Sequence, residues 1–350
     1  MDKTILFFSI EEITSLAEFW ARENYQFIVI IDEIIPISDG LNICAYCISY
    51  KLDDKPYGYV VIDSNRYALN CILEFCLSGE SIFKVLQNNA KYNDNENTEK
   101  IIYRIGSFNY AILTGECYYC STGEQINDIE LESLCEIYRN SISPESYLNY
   151  REGFYSAGTI TASGTYTYQN LTNIAYFMPS LMIDFPSSQI NCTPTAATNI
   201  ISYYKEQRGF TGINVSRQNL YSIIVSASGW NSTGTTGMSI EDARDSLHAV
   251  VNAFGYDFDS STYLFDLWSD WTRDIYNDFP VLTAVYGYRQ DNNGNWIYKG
   301  HSIVAVGYRQ YSSGPKYIRV LDGWNATVDR FIWFNSSFFT SVDGICIKVS

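Results

Sequence analysis

One cysteine and two histidines are the residues of this chain best suited to nucleophilic chemistry. Cys192 opens a run, residues 191–204, whose small and apolar side chains predict a buried helix. A cysteine at a helix start lies beside unpaired backbone N–H groups and the positive end of the helix dipole, which favour thiolate over thiol. A thiolate nucleophile needs a base, and the only histidines of the sequence are His248 and His301.

The sequence contexts of the two histidines differ. His301 begins a predicted strand over residues 301–308, whereas His248 lies inside a predicted helix with no acidic or cysteine neighbour and is interpreted as structural. Asp322 follows 21 residues after His301 (322 − 301 = 21) at the end of the next strand, where a hairpin would let its carboxylate orient the imidazole. Each residue has a common structural role, and only their combination indicates nucleophile, base and orienting group.

The elements that position these residues fall into two regions. At 350 residues, the chain is long enough for two domains. Residues 1–145 predict a helix followed by a mostly antiparallel sheet, and residues 146–167 are rich in Ser, Gly, Thr and Tyr, which is typical of a linker open to proteolysis. Residues 168–350 predict helices followed by strands. The expected class is α+β, with a smaller α+β domain in front of the domain that contains Cys192.

Apolar spacing and turn residues predict further elements in both regions. Besides the cysteine helix, helices are predicted over residues 9–25, 127–139 and 239–254, the last capped by Ser239. Strands are predicted over 27–31, 42–50, 57–62, 101–113, 280–288, 301–308, 317–324, 330–333 and 344–349, and a loop over 88–100.

Composition limits the class of partner. The apolar content of 46% is sufficient for an ordinary core, and 30 tyrosines favour sheet structure. The net charge of −16, most of it before residue 165, argues against nucleic acid as a partner.

The nine cysteines form no regular disulfide framework. Cys44 and Cys47, and likewise Cys117 and Cys120, have the spacing of zinc half-sites, but both pairs lie in strand-like runs where small buried hydrophobes are expected. No metal or other cofactor is predicted. No apolar run reaches the roughly 18–20 residues of a membrane span, and the N-terminus lacks a clear signal peptide. A cytoplasmic protein and one whose leader has been removed both remain open.

Three motifs resemble those of papain-like cysteine peptidases of the C39-like and streptopain-like (C10) branches. Residues 192–199 (Cys-Thr-Pro-Thr-Ala-Ala-Thr-Asn) are similar to the motif Cys-Gly-Pro-Thr-Ala-Ala-x-Asn. Residues 300–308 resemble the motif Gly-His-Ser/Ala-Val-x-x-x-Gly-Tyr, and residues 322–324 resemble Asn/Asp-x-Trp. The motifs occur in the family's order and span roughly residues 165–350.

The resemblance implies a papain-like fold of two subdomains, in which a helical half carries Cys192 and an antiparallel sheet half carries His301 and Asp322. It implies a thiol protease that hydrolyses peptide or protein substrates without a cofactor. Cys192 would be the nucleophile, His301 the base, Asp322 the orienting residue and Trp324 a shield against water.

The first half resembles a streptopain-type propeptide at residues 57–63, 71–75 and 78–80. This similarity implies a zymogen whose N-terminal domain inhibits the peptidase domain and whose linker, residues 146–167, is the cleavage region. It also implies an extracellular or cell-associated protein.

Two positions depart from the family pattern. Thr193 stands where the motif has glycine, and the usual place of the oxyanion-hole glutamine, six residues before the cysteine, holds Pro186. Gln189 is the nearest candidate for that role. Because loss of one oxyanion donor can cost roughly 100- to 1000-fold in rate, a papain-fold interaction protein with impaired catalysis is an alternative. Another acyl-transfer enzyme, such as a transglutaminase or amidase, is a second alternative because one triad serves several reactions.

Overall fold

The computed structural model has a mixed α+β fold. It describes residues 7–65, 68, 70–91, 100–106, 109–141, 162, 164–186, 190–231, 237–263, 267–290, 296–334 and 341–350. Most of the predicted linker and of the predicted loop over 88–100 lies outside these ranges.

The N-terminal half begins with helix α1, whose start is fixed by a capping box between Ser9 and Glu12. Its elements are α1 (Ile10–Asn24), β1 (Ile30–Ser38), β2 (Ile43–Leu52), β3 (Lys55–Asp63), β4 (Ile72–Cys76), α2 (Ile82–Asn89), β5 (Ile102–Arg104), β6 (Tyr110–Thr114), β7 (Cys117–Cys120), β8 (Gln125–Ile126) and α3 (Asp128–Ser141).

The C-terminal half places most of its helices before most of its strands. Its elements are β9 (Tyr166–Asn170), two 3₁₀ turns (Ile174–Tyr176 and Met182–Asp184), α4 (Cys192–Gln207), α5 (Arg217–Ser228), α6 (Ile240–Ala253), β10 (Phe258–Tyr263), α7 (Leu267–Tyr276), β11 (Val281–Gln290), β12 (Trp296–Tyr311), β13 (Lys316–Leu321), β14 (Arg330–Trp333) and β15 (Ser341–Val349). No helix within the described ranges is long and apolar enough to cross a membrane.

A single sheet joins the two halves. The strand order is β10-β15-β11-β12-β13-β14-β4-β3-β2-β1-β5-β6-β7-β8, and β9 pairs with β12. The halves meet where β14 and β4 pair antiparallel, with Phe331 opposite Phe75. Both rings belong to an apolar cluster that also contains Trp20 and Tyr317, so residues from both halves share one core. The junction is therefore a hydrogen-bonded strand pair inside the sheet, backed by buried side chains.

Several predicted elements differ from the structure in length or number. The apolar run 101–113 is a hairpin of two strands, because the chain turns back where Ile105 N–H donates to the Asn109 carbonyl. Strand β12 begins five residues before His301, so this histidine lies inside a strand and not at its start. The first strand was expected at 27–31 and is found at Ile30–Ser38.

The other helices confirm the pattern reading. The predicted cap at Ser239 accepts a hydrogen bond from the first turn of α6, and Ser9, the first residue of the helix predicted over 9–25, does the same for α1. His248 lies on α6 with its ring 5.3 Å from that of Phe258, which fits the structural role expected for it. The short helices α2, α5 and α7 were not predicted from the sequence.

Candidate active site

Cys192 is the first residue of α4 and is only 7% exposed. Asn191 precedes the helix but does not cap it with its side chain, because the side-chain amide donates instead to the Met182 carbonyl at 2.9 Å. The preceding Ile190 has φ +56°, a left-handed conformation that is strained for a β-branched residue. The backbone just before Cys192 therefore determines where α4 begins. Because Cys192 is the first residue of α4, the unpaired N–H groups of the first helical turn lie close to it in the chain.

His301 is held by a backbone carbonyl. Its Nε2 lies 2.7 Å from the carbonyl oxygen of Asp322, and the ring is 2% exposed. A carbonyl only accepts hydrogen bonds, so Nε2 must carry the proton that it donates. The neutral ring then has an unprotonated Nδ1, which is buried and has no nitrogen or oxygen partner among the described residues. Nδ1 is therefore the ring nitrogen free to take a proton from Cys192.

The pKa values of the thiol and the imidazole shift in opposite directions. Burial opposes ionisation of Cys192, but a hydrogen bond and the charge of His301 outweigh it and lower the pKa of the thiol. Burial also favours neutral His301, but the same contact with Cys192, helped by the Asp322 carbonyl, raises the pKa of the imidazole. Both shifts favour a thiolate–imidazolium pair.

The Asp322 carboxylate does not make the contact with His301 that the sequence suggested. Its Oδ1 accepts the N–H groups of Trp324 and Asn325 at 2.9 and 2.7 Å, which closes the turn after β13. Its Oδ2 accepts Nη1 of Arg330 at 2.7 Å. Asp322 thus orients the imidazole through its main chain, while its side chain fixes the turn that presents this carbonyl.

Arg330 links this turn to the N-terminal half. Its guanidinium bonds Asp322 on one side and Glu74 on the other, with Nη2 and Nε 2.9 and 3.3 Å from the Glu74 carboxylate. The hydroxyls of Tyr59 and Tyr110 also donate to Glu74, at 2.8 and 2.7 Å. All three charged side chains are at most 2% exposed. The network of Glu74, Arg330 and Asp322 is therefore a buried ion triad that crosses between the halves.

Sequence patterns did not identify Glu74 or Arg330. Glu74 did carry a signal, because it is the one charged residue in the apolar run from Cys71 to Leu77. A charge inside such a run calls for a buried partner. The partner lies 256 positions away in sequence and could not be assigned without the strand pairing of β4 and β14.

Trp324 is buried against the same network. The Arg330 guanidinium lies 4.6 Å from its ring centroid, and the Tyr110 ring meets it edge-on at 6.4 Å. Trp324 also shares an apolar cluster with Cys192 and Met182. Shielding of the histidine by Trp324 stays a prediction.

The N-terminal half packs over this side of the molecule. The apolar cluster that contains Cys192 and Trp324 otherwise consists mainly of residues from the first half, among them Phe83 and Leu86 of α2. At the end of the same helix, Asn89 donates its side-chain amide to the Trp324 carbonyl at 2.8 Å. The apolar cluster that contains Cys192 and Trp324 thus draws most of its side chains from residues 35–119.

The structure gives different information on Gln189, the candidate oxyanion donor, and on Thr193, which replaces the glycine of the motif. Gln189 lies outside the described residues, so the structure does not place the expected oxyanion donor. Thr193 is 2% exposed, and its hydroxyl is bonded to the Met238 carbonyl at 2.8 Å and to the Ser302 hydroxyl at 2.7 Å. The side chain is therefore part of a buried polar cluster.

The paired cysteines that could suggest zinc lie on strands. Cys44 and Cys47 are on β2, and Cys117 and Cys120 are on β7. The second cysteine of each pair is buried and the first is partly buried. Both pairs therefore lie on strands, as the sequence predicted.

Comparison with known proteins finds similarity in the C-terminal half. Residues 166–338 match the model of the Peptidase_C39 like family, a segment that contains Cys192, His301 and Asp322. A crystal structure of a candidate C39-like peptidase from Bacillus anthracis is similar at 12% identity, covering 51% of this chain and 98% of that one, with a TM-score of 0.33. No curated protein matches the chain. Residues 166–338 are thus similar to the C39-like peptidase family.

Proposed function

We propose that the chain is a cysteine endopeptidase with Cys192 as nucleophile and His301 as general base. The observation that carries the proposal is the bond from His301 Nε2 to the Asp322 carbonyl, which leaves Nδ1 for the thiol. The family match over residues 166–338 supports the reaction class. In this proposal α4 to α6 form the papain-like half with the nucleophile, and β11 to β15 form the half with the base.

The reaction would proceed by acyl transfer. His301 Nδ1 takes the Cys192 proton, and the resulting thiolate attacks the carbonyl carbon of the scissile peptide. The tetrahedral intermediate collapses as the imidazolium gives its proton to the leaving amine, which leaves a thioester on Cys192. His301 then removes a proton from water, the hydroxide attacks the thioester, and the free acid departs as the thiolate is regenerated.

The negative oxygen of the intermediate needs hydrogen-bond donors. The backbone N–H of Cys192 is in the first turn of α4, where no helical carbonyl can pair with it, and it is the first proposed donor. Gln189 is proposed as the second donor, as the sequence suggested.

We also propose that the N-terminal half is an inhibitory domain and that the chain is a zymogen. The 7% exposure of Cys192 and the 2% exposure of His301 support this role, since a substrate must reach both groups. The bond from Asn89 to the Trp324 carbonyl supports it further. Cleavage within residues 146–167 followed by removal of the N-terminal half is the proposed route to activity, and a secreted or cell-associated protein is the setting such activation suggests.

Peptide hydrolysis tests the proposal. A casein-type protein substrate should be cleaved after limited proteolysis of the full chain, and Cys192→Ala and His301→Ala should each abolish this cleavage. Cys117→Ala is the matched control, because Cys117 is a partly buried thiol on β7 in the other half. The absence of any thiol-dependent cleavage, before or after limited proteolysis, would contradict the proposal and favour the papain-fold interaction protein.

The same assay distinguishes hydrolysis from other acyl transfers. With a primary amine added in excess, a peptidase should still release mainly the free carboxylic acid. A dominant amide product that incorporates the amine would instead indicate a transglutaminase-type reaction at the same thiol.

A further inference from the structure

Two hydroxyls connect the residues that follow the nucleophile and the base. Thr193 follows Cys192 on α4, and Ser302 follows His301 on β12. Their Oγ atoms are 2.7 Å apart, and the two residues are 2% and 5% exposed. The helix that carries the thiol and the strand that carries the imidazole are therefore joined by a buried hydrogen bond one residue beyond each reacting group.

The donor and acceptor roles of the two hydroxyls can be assigned. Thr193 Oγ1 also lies 2.8 Å from the Met238 carbonyl, which only accepts hydrogen bonds. The single Thr193 proton therefore goes to Met238, and Ser302 must donate to Thr193. Met238 directly precedes Ser239, the cap of α6, so the chain of bonds ties three elements together.

We propose that Thr193 and Ser302 are positioning residues that fix the distance and orientation between the Cys192 thiol and the His301 imidazole. The inference rests on the proposed function, since it concerns the same thiol and base. Where the similar motif has glycine, this chain has a side chain that reaches β12. Thr193 thus provides a connection that a glycine cannot make.

The chemical consequence concerns ionisation of the thiol. The pKa of the Cys192 thiol is lowered by its interaction with His301 on β12 and by the Ser302 backbone of the same strand. These contacts require α4 and β12 to keep a fixed relative position, because proton transfer and charge stabilisation both weaken steeply with distance. Loss of the hydroxyl bond should therefore make the thiol harder to ionise.

The test measures the rate of Cys192 alkylation by iodoacetamide as a function of pH, with peptide mapping, in the full chain. Thr193→Val keeps the branched shape and removes the hydroxyl of Thr193. Ser302→Ala removes the hydroxyl of Ser302. Thr193→Ser retains a hydroxyl at position 193. We expect each of the first two to slow alkylation at about pH 6 by roughly tenfold, corresponding to a shift of about one pKa unit in the acidic limb. Thr193→Ser should retain most of the wild-type rate.

A double variant and a control variant separate positioning from general destabilisation. Thr193→Val combined with Ser302→Ala should lose little more than Thr193→Val alone, because Thr193→Val already removes the bond that Ser302→Ala removes. Thr198→Val is the matched control, because Thr198 is buried on the same helix and its hydroxyl donates to the Pro194 carbonyl within that helix at 2.7 Å. It should leave the pH profile unchanged. If Thr193→Val does not fold by circular dichroism, Ser302→Ala, which keeps the bond to Met238, decides the matter.

The outcomes distinguish this inference from the proposed function. Wild-type Cys192 that reacts selectively at low pH, together with variant profiles that superimpose on it, would overturn the positioning role alone. Wild-type Cys192 that reacts no faster than the other buried cysteines would overturn the proposed function first. A lowered alkylation rate in the Thr198→Val control, equal to that in Thr193→Val, would also refute the positioning role.

Discussion

The buried ion triad of Glu74, Arg330 and Asp322 gives the strongest test of the structure. Arg330→Met removes the one cation of the triad and keeps a long apolar side chain in its place. Both carboxylates, at 2% exposure or less, would then lose the guanidinium that they bond in the triad. Removal of one side of a buried ion pair costs about 3–5 kcal/mol, because the charge left behind is buried and uncompensated. We expect a loss of that size in the free energy of unfolding near neutral pH.

The pH dependence of this loss has a definite sign. In the wild type, burial raises the pKa of Glu74, but the charge and hydrogen bonds of Arg330 outweigh burial and lower it below the ordinary value. Its contribution to stability is thus present above the carboxyl group's ordinary pKa and is lost as the pH falls through the native pKa. Without Arg330, burial raises this pKa instead, so protonation at acidic pH relieves the buried charge. The difference between variant and wild type should therefore shrink from about pH 7 to about pH 5.

Urea unfolding followed by tryptophan fluorescence measures this difference at both pH values. Arg244→Met is the control, because the partner of Arg244, Asp245, is 71% exposed in its side chain, and such pairs contribute about 0–1 kcal/mol. An Arg330→Met loss below about 1 kcal/mol, or one that does not change with pH, would refute the assignment of a buried charged network.

Three further predictions concern the junction of the halves and the sheet around it. Gly58→Ala should lower the free energy of unfolding by well over about 1 kcal/mol, since Gly58 has φ +86° and an added Cβ would overlap the Cys76 carbonyl. The control is Gly123→Ala, at φ +88° with open space around it, which should lower the free energy of unfolding much less in the same urea titration. Tyr317→Phe should cost about 1–3 kcal/mol by removing the hydroxyl that bonds Ile72 and Asn70, and a cost near zero would argue against this contact. After proteolytic nicking within residues 146–167, the two fragments should co-elute in gel filtration without denaturant because β4 and β14 share a sheet; separate elution would contradict that pairing.

The local elements could be predicted from the sequence because local rules determine them. Helices α1 and α4 follow from apolar spacing, and the start of α6 follows from its Ser239 cap. The order of Cys192, His301 and Asp322 also indicated which residues meet. For the helices, the signal lies within a few residues of the position concerned.

Contacts between distant segments could not be predicted in the same way. The choice between the carbonyl and the carboxylate of Asp322 depends on Arg330, which competes for the carboxylate, and on the turn that ends in Trp324. The pairing of β4 with β14 joins segments more than 250 residues apart. Periodicity carries no information about such pairings.

The same limit applies to Thr193. From the sequence, Thr193 is only a departure from a motif that has glycine. Its bonds to Ser302 and Met238 depend on how α4 meets β12 and α6. The sequence alone indicates that Thr193 weakens the site, and the packing of α4 against β12 is needed to propose its positioning role.

The central claim is that His301 activates the Cys192 thiol, and selective alkylation tests it most directly. Iodoacetamide treatment of the full chain at about pH 6, followed by peptide mapping, compares Cys192 with Cys135, which is also buried but whose pKa is raised to about 11 by burial. We predict that Cys192 reacts first and that His301→Ala removes this preference. A Cys192 rate no greater than that of Cys135, or one unchanged by His301→Ala, would contradict the account.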